Sequence, residues 1–267
     1  MKLQKLLVVA LSTGFLAACG GGGGDSSPSS PQAVSATPGQ AQGVYSGTFT
    51  IVGNQASTGQ LNMLILENDE YWGLYGTANA SGGLTVYGLV QGQGVSNNGT
   101  FSSSNLKDYS NTVTGSGSLN VTYLSGISFN GTATKGTLTA TIAANTNAAN
   151  MASYNTPANL ADIVGAWPGN ALDGSAFNLT ITSGGAISGS SVGTTCTVSG
   201  TITPRASGKN VFNVNLTTPT SAACGSNSGR TANGVAASSV LSSGQRQLLI
   251  ALVTADRASG TVLFATR

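Results

Sequence analysis

From residue 43 onward, apolar and polar positions alternate in short runs. In Phe212-Asn213-Val214-Asn215-Leu216 the three apolar side chains fall on one face and the asparagines on the other. Strict alternation of this kind predicts a half-buried strand. The run LNMLILEND (61–69) is followed by a turn at Glu67-Asn68-Asp69-Glu70 and then by Tyr71-Trp72-Gly73-Leu74-Tyr75, which predicts a hairpin. Further strands are expected over 84–90, 119–123, 127–131, 136–142, 177–185, 195–203, 211–216, 229–240, 247–254 and 261–265. Gly/Asn/Ser turns recur about every 8–12 residues, the spacing of sandwiches and barrels. One apolar face per strand implies antiparallel sheet with the other face in water. Glycines inside strands suit the bends of barrel corners. The expected fold is therefore all-β: two small antiparallel β-barrel or β-sandwich domains after a disordered tether.

The expected boundaries are 1–18, 19–42, 43–145, 146–162 and 163–267. The stretch NTNAANMASYNTPANLAD (145–162) lacks alternation and reads as a linker, with one short helical turn expected at Ala158 to Val164. Both β-rich halves open on the same pattern, Gly43-Val44-Tyr45-Ser46-Gly47 and Gly165-Ala166-Trp167-Pro168-Gly169. A shared G-x-aromatic-x-G opening suggests duplication of one unit.

The first residues follow another pattern. Lys2 and Lys5 precede an apolar run from Leu6 to Phe15. This run falls short of the about 20 residues needed to cross a bilayer, and it fits the apolar region of a secretory signal peptide spanning 1–18. Leu16-Ala17-Ala18-Cys19 resembles the lipobox of bacterial lipoproteins. That resemblance implies cleavage before Cys19 and diacylation of its thiol, so that membrane lipid is held through Cys19. Two or three acyl chains anchor a protein stably where one does not. In that family Asp after the cysteine marks inner-membrane retention; Gly20 stands there, which favours the outer membrane, with the inward or outward face left open. Residues 20–42 are rich in Gly, Ser, Pro and Gln and are expected to be disordered, a tether with an r.m.s. span of roughly 25 Å. Lipobox, polyglycine run and tandem β-domains together resemble, in organisation, surface lipoproteins such as the factor H-binding protein and transferrin-binding protein B families.

Charge adds little. The chain has 10 Lys and Arg against 8 Asp and Glu, and loss of Lys2 and Lys5 makes it neutral. The second half is the more basic, with Lys209 and arginines 205, 230, 246, 257 and 267. No basic stripe carries interleaved aromatics, so no nucleic-acid partner is expected. With Cys19 committed to lipid, Cys196 and Cys224 remain, 28 positions apart in an exported protein. Oxidising compartments favour a disulfide between them.

The sequence contains no histidine. This removes Ser-His-Asp and Cys-His catalytic sets and histidine-ligated metals. Glu67, Asp69 and Glu70 crowd one turn and are expected to be solvated, lacking the ordered oxygen ligands of a Ca²⁺ loop. Gly88-Leu89-Val90-Gln91-Gly92-Gln93-Gly94 lacks the lysine of a phosphate loop and reads as a strand running into a turn. No cofactor, metal or enzymatic activity is expected. The candidate binding patch is aromatic: Tyr71, Trp72, Tyr75 and Tyr87, with Tyr71 and Tyr75 on one face of a hairpin and Trp72 on the other. Exposed Tyr and Trp are favoured at binding hot spots. The sequence thus predicts a non-enzymatic, lipid-anchored binding module with a protein or glycan partner. Its alternative is a lipocalin-like carrier of a small apolar ligand, which requires a hollow barrel.

Overall fold

The computed structural model describes residues 40–53, 57–79, 83–110 and 114–267. The expected signal peptide, Cys19 and the tether up to residue 39 lie outside the described residues. The remainder is all-β and forms two closed antiparallel barrels of eight strands each.

The first barrel is built from β1 (Gly43–Val52), β2 (Thr58–Ile65), β3 (Glu70–Ala78), β4 (Leu84–Gln93), β5 (Val95–Asn97), β6 (Thr100–Ser110), β7 (Thr114–Leu124), β8 (Ser128–Lys135) and β9 (Leu138–Asn145). Neighbours in sequence pair as antiparallel ladders, and β9 returns to β1. The short β5 stays outside the ring: β4 pairs directly with β6, from Gly88 opposite Ser110 to Gln91 opposite Lys107. The second barrel is an uninterrupted meander of β10 (Gly165–Ala171), β11 (Ala176–Ile181), β12 (Ala186–Ser191), β13 (Thr197–Pro204), β14 (Phe212–Thr217), β15 (Thr231–Val240), β16 (Arg246–Thr254) and β17 (Gly260–Thr266), closed by β10 on β17.

The two aromatic openings occupy equivalent places. Tyr45 and Trp167 point into their barrels from the first strand, and both are fully buried. Two residues later, Gly47 and Gly169 lie against the last strand. A Cβ on either would sit within about 2 Å of a backbone carbonyl, Ala143 O or Phe264 O. Only glycine fits where a closing strand approaches so tightly.

Between the barrels, the helical turn expected at 158–164 is present as a 3-10 turn (Leu160–Asp162), and an additional helix α1 (Ala148–Asn155) precedes it. Asn147 caps this added helix, its side chain accepting from Asn150 N at 2.7 Å. Capping by Asn satisfies a donor that the helix itself leaves free. The tether also ends earlier than expected. Ala41 is fully buried; its amide donates to Ser96 Oγ (3.1 Å) and its carbonyl accepts from Tyr45 Oη (2.9 Å). Tyr123 Oη donates to Gln40 Oε1 at 3.1 Å. Residues 40–42 therefore close one end of the first barrel instead of hanging free.

The barrels share a third apolar core between their outer walls. Leu66, Trp72, Leu89 and Tyr109 of the first pack with Val211, Val235, Ala251, Val253 and Val262 of the second, and Tyr154 of α1 joins them. The tip of the β16–β17 hairpin anchors this seam. Arg257 takes φ +53 and donates through Nη2 to the carbonyls of Gln91 (2.7 Å) and Asn105 (2.8 Å). Tyr109 Oη donates back to Arg257 O at 3.0 Å. Asn105 sits where β6 bulges between Ser103 and Leu106. A bulge takes backbone groups out of the ladder, and the arginine satisfies one of them.

The expectation of a solvated acidic turn is corrected: Glu67 is paired across this seam, and Asp69 and Glu70 are bonded within the first barrel. Glu67 accepts from Arg205 Nε of the second barrel at 2.7 Å. Asp69 accepts from Ser96 N at 2.7 Å and from Ser96 Oγ. Glu70 accepts from Trp72 Nε1 (3.1 Å) and Gln91 Nε2 (3.3 Å). The carboxylates cluster because each meets a donor that the packed barrels hold in place.

Cys196, just before β13, forms a disulfide with Cys224 in the 3-10 segment Ala222–Asn227. The bridge ties the long β14–β15 connection to the β12–β13 turn. Its loop length corresponds to about 3.6 kcal/mol in the chain-entropy account. Replacing both cysteines by alanine should lower the unfolding free energy of the full chain by about 2–4 kcal/mol in denaturant titration. An unchanged midpoint would contradict this role.

Candidate functional site

The first barrel is packed at one end and hollow at the other. At the end closed by residues 40–42, Tyr45, Phe101 and Phe129 stack edge and face, with centroids 5.2 Å (Tyr45–Phe129) and 5.5 Å (Phe101–Phe129) apart; Tyr71 meets Phe101 at 5.8 Å. These rings fit because glycines stand opposite them. A Cβ on Gly92 would lie 2.3 Å from Tyr71 Oη, and one on Gly94 would lie 2.1 Å from the Phe101 ring. The glycines of the 88–94 run are thus ring seats on β4 and just beyond it, in keeping with the strand-and-turn reading.

Toward the other end the inward positions become smaller. Gly73, Ala133 and Ala140 face the bore alongside Leu61, Met63, Val90, Leu106, Leu119 and Ile142, leaving a cavity of about 210 Å³. A Cβ at Gly73 would be 2.3 Å from Met63 Sδ, so glycine also makes room for the flexible thioether. Phe49 and Tyr75, edge to face at 5.8 Å, form part of the wall. An eight-stranded barrel is just wide enough to be filled by side chains or to hold one small ligand. Here the aromatic end does the first and the cavity end leaves space for the second.

One polar cluster enters this apolar wall. Asp108 of β6 is buried at 6% exposure. Its Oδ1 accepts from Tyr75 Oη at 2.6 Å, and its Oδ2 accepts from the Lys135 ammonium of β8. The lysine stem crosses Gly115, whose missing Cβ would lie 2.6 Å from Lys135 Cδ. Burial, together with the bond to Asp108 and the charge of that carboxylate, holds the Tyr75 hydroxyl well above the usual phenol range, so it stays a donor. Burial likewise pushes the Tyr71 hydroxyl up to about 12, although its bond to Ser103 acts the other way. Tyr71 Oη donates to Ser103 Oγ (3.0 Å), which donates to Gln93 O (2.7 Å).

The four aromatics of the candidate patch occupy three environments. Tyr71 and Tyr75 both face the bore, the first toward its packed end and the second in the cavity wall. Trp72 points outward into the seam between barrels and is nearly buried. Tyr87 is 51% exposed and shares a hydrogen bond with Thr77 Oγ1 at 2.9 Å. They do not form one surface. Asp108 and Lys135 were not singled out by sequence. For Lys135 a signal existed: Phe129, Gly131, Ala133 and Lys135 form one alternating series, which places the lysine inside. For Asp108 the β6 bulge shifts the phase and hides it.

The second barrel is filled at one end by Trp167, Phe212, Leu248 and Ile202. Trp167 Nε1 donates to Ile163 O at 2.7 Å, and the Arg267 guanidinium lies over the indole at 4.3 Å. Its other end is a wide concavity of about 610 Å³, with the disulfide on its rim. The carboxylate there, Asp173, is held below the usual range by accepting from Ser175 Oγ (2.6 Å) and Ser175 N (2.9 Å) of its own turn.

No protein-family model matches this chain, and no curated protein matches it in sequence. Among solved structures, a similar chain is a crystallised protein of unknown function from the DUF3598 family of Nostoc punctiforme. It is 12% identical over 85% of this chain and 95% of that one, with a TM-score of 0.27.

Proposed function

We propose that the protein is an exported, lipid-anchored, non-enzymatic binding protein whose first barrel carries a small apolar molecule. The carrying observation is the 210 Å³ apolar cavity at the open end of that barrel. Apolar cavities of about 150 Å³ stay dry and take up benzene, so a space this size has the capacity for a ring or a short tail. The carrier reading is favoured over a protein or glycan partner because two of the four candidate aromatics face the bore and a third is spent on the barrel seam. Binding is favoured over catalysis because Asp108, Lys135 and Tyr75 are committed to one another and no histidine is available.

The anchoring part of the proposal rests on Leu16-Ala17-Ala18-Cys19 and the apolar run before it. Acylation of Cys19 would place the protein in the outer membrane. The chain enters the first barrel at its packed end.

Two methionines make the cavity testable. Met63 lines it, whereas Met151 lies on α1 against the seam. In full-length protein labelled at methionine methyl groups, ethylbenzene should shift the Met63 resonance and leave Met151 in place. Ala133→Phe should weaken that binding at least about tenfold by occupying the space. A Met63 signal indifferent to ethylbenzene and to polar rings of the same size alike would refute the carrier reading. For the anchor, Cys19→Ala should abolish acyl labelling and release the protein from the membrane; persistence in the outer-membrane fraction would show that something else holds it.

A further inference from the structure

The polar cluster in the cavity wall restricts what the proposed ligand can be. We propose that the ligand is uncharged: an apolar ring or short tail bearing one neutral hydrogen-bond acceptor, such as a ketone, ester or lactone carbonyl, placed against the Lys135 ammonium. The inference rests on the carrier reading above and adds the chemistry of its occupant.

Asp108 has one oxygen engaged by Tyr75 Oη and the other by Lys135 Nζ. The Tyr75 proton is spent on Asp108. An ammonium carries three donors and no acceptor, and Asp108 takes one of those of Lys135. Asp108 keeps lone pairs but is nearly enclosed, whereas the Lys135 side chain is 32% exposed, so what the cluster offers a ligand most openly is the remaining lysine donors, and the matching ligand brings an acceptor. Lys135 is in place to give them, because it lines the cavity and its stem is laid over Gly115.

Charge excludes the ionised alternatives. Asp108 and Lys135 cancel, and the rest of the wall is largely apolar. A carboxylate entering this space would have to compete with Asp108 for the one ammonium. If Asp108 lost, it would be a buried charge without a partner, which is strongly unfavourable; if the ligand lost, its charge would face a largely apolar wall with no counter-charge. A cationic ligand would face the lysine and find the Asp108 oxygens already engaged. A neutral carbonyl accepts from Lys135 and leaves the pair intact. Size adds the last limit. Sites for drug-sized ligands run from about 300 to 1,000 Å³, so at 210 Å³ the buried part is one ring or a short chain.

Three single-ring probes separate these possibilities: ethylbenzene, acetophenone (the same skeleton with a carbonyl) and benzoate. Each is titrated into the full-length protein and read on the Met63 methyl resonance. Acetophenone should bind at least about tenfold more tightly than benzoate, since the charged probe must compete with the buried Asp108 carboxylate for its only ammonium. It should also exceed ethylbenzene by about tenfold, the worth of one hydrogen bond to a charged donor. A variant lacking Lys135 alone strands Asp108 and risks unfolding. The triple variant Tyr75→Phe/Asp108→Leu/Lys135→Met removes the whole cluster, and apolar replacement of an ion pair with a buried member is commonly tolerated. In it the acetophenone preference over ethylbenzene should vanish. Benzoate binding more tightly than acetophenone, or a preference that survives in the triple variant, would overturn the inference and leave the carrier reading standing. Failure of all three probes to move Met63 would overturn both.

Discussion

A closed eight-stranded barrel must do something with its own bore, and the rest of this structure follows from how that space is filled. Inward positions alternate with outward ones along every strand, so the choice of inward residues decides whether a barrel is solid or hollow. In the first barrel, large rings seated on glycines fill one end. At the other end glycine, alanine and slender aliphatic side chains leave a space. Residues 40–42 cap the filled end, which fixes the cavity mouth at the opposite end. The polar cluster of Asp108, Lys135 and Tyr75 is tolerable in such a place because it is closed on itself, with both carboxylate oxygens satisfied.

A second constraint acts from outside. Strands whose outer face met water would alternate, yet β16 is buried on both faces along most of its length. Its outward residues Ala251 and Val253 form the seam with Trp72, Leu89 and Tyr109 of the first barrel. The Arg257 bonds and the Glu67–Arg205 pair add direction to that apolar contact. The hairpin tip that carries Arg257 reaches the bulge of β6, next to the strand segment that holds Asp108. The hollow barrel is thereby braced along the wall where its cavity carries charge.

Much of this was legible in the sequence, because period-two alternation reports burial strand by strand. Phe212, Val214 and Leu216 face the core of the second barrel as their spacing implies, and Cys196 pairs with Cys224. The seam was harder to see. A run such as LLIALVT signals burial on both faces, but not what covers the second face. The same ambiguity affected the hairpin aromatics: Tyr71 and Tyr75 share a face as read, yet the opposite face, with Trp72, met another barrel instead of solvent. The acidic turn at 67–70 looked solvated because its partners, Arg205, Ser96 and Gln91, are distant in the chain. Asp108 was out of reach for a local reason, the bulge that breaks the phase of β6. Asn147 was an available helix-start signal that the expected linker did not use.

The first barrel is hollow at one end, and an apolar wall lines most of that space. Xenon binds apolar cavities without needing any particular ligand chemistry, so crystals of the protein under xenon pressure give the most direct test. The account predicts xenon density inside the first barrel, bounded by Phe49, Met63, Val90 and Leu119. Side chains collapsed into that space with no xenon among them would contradict it.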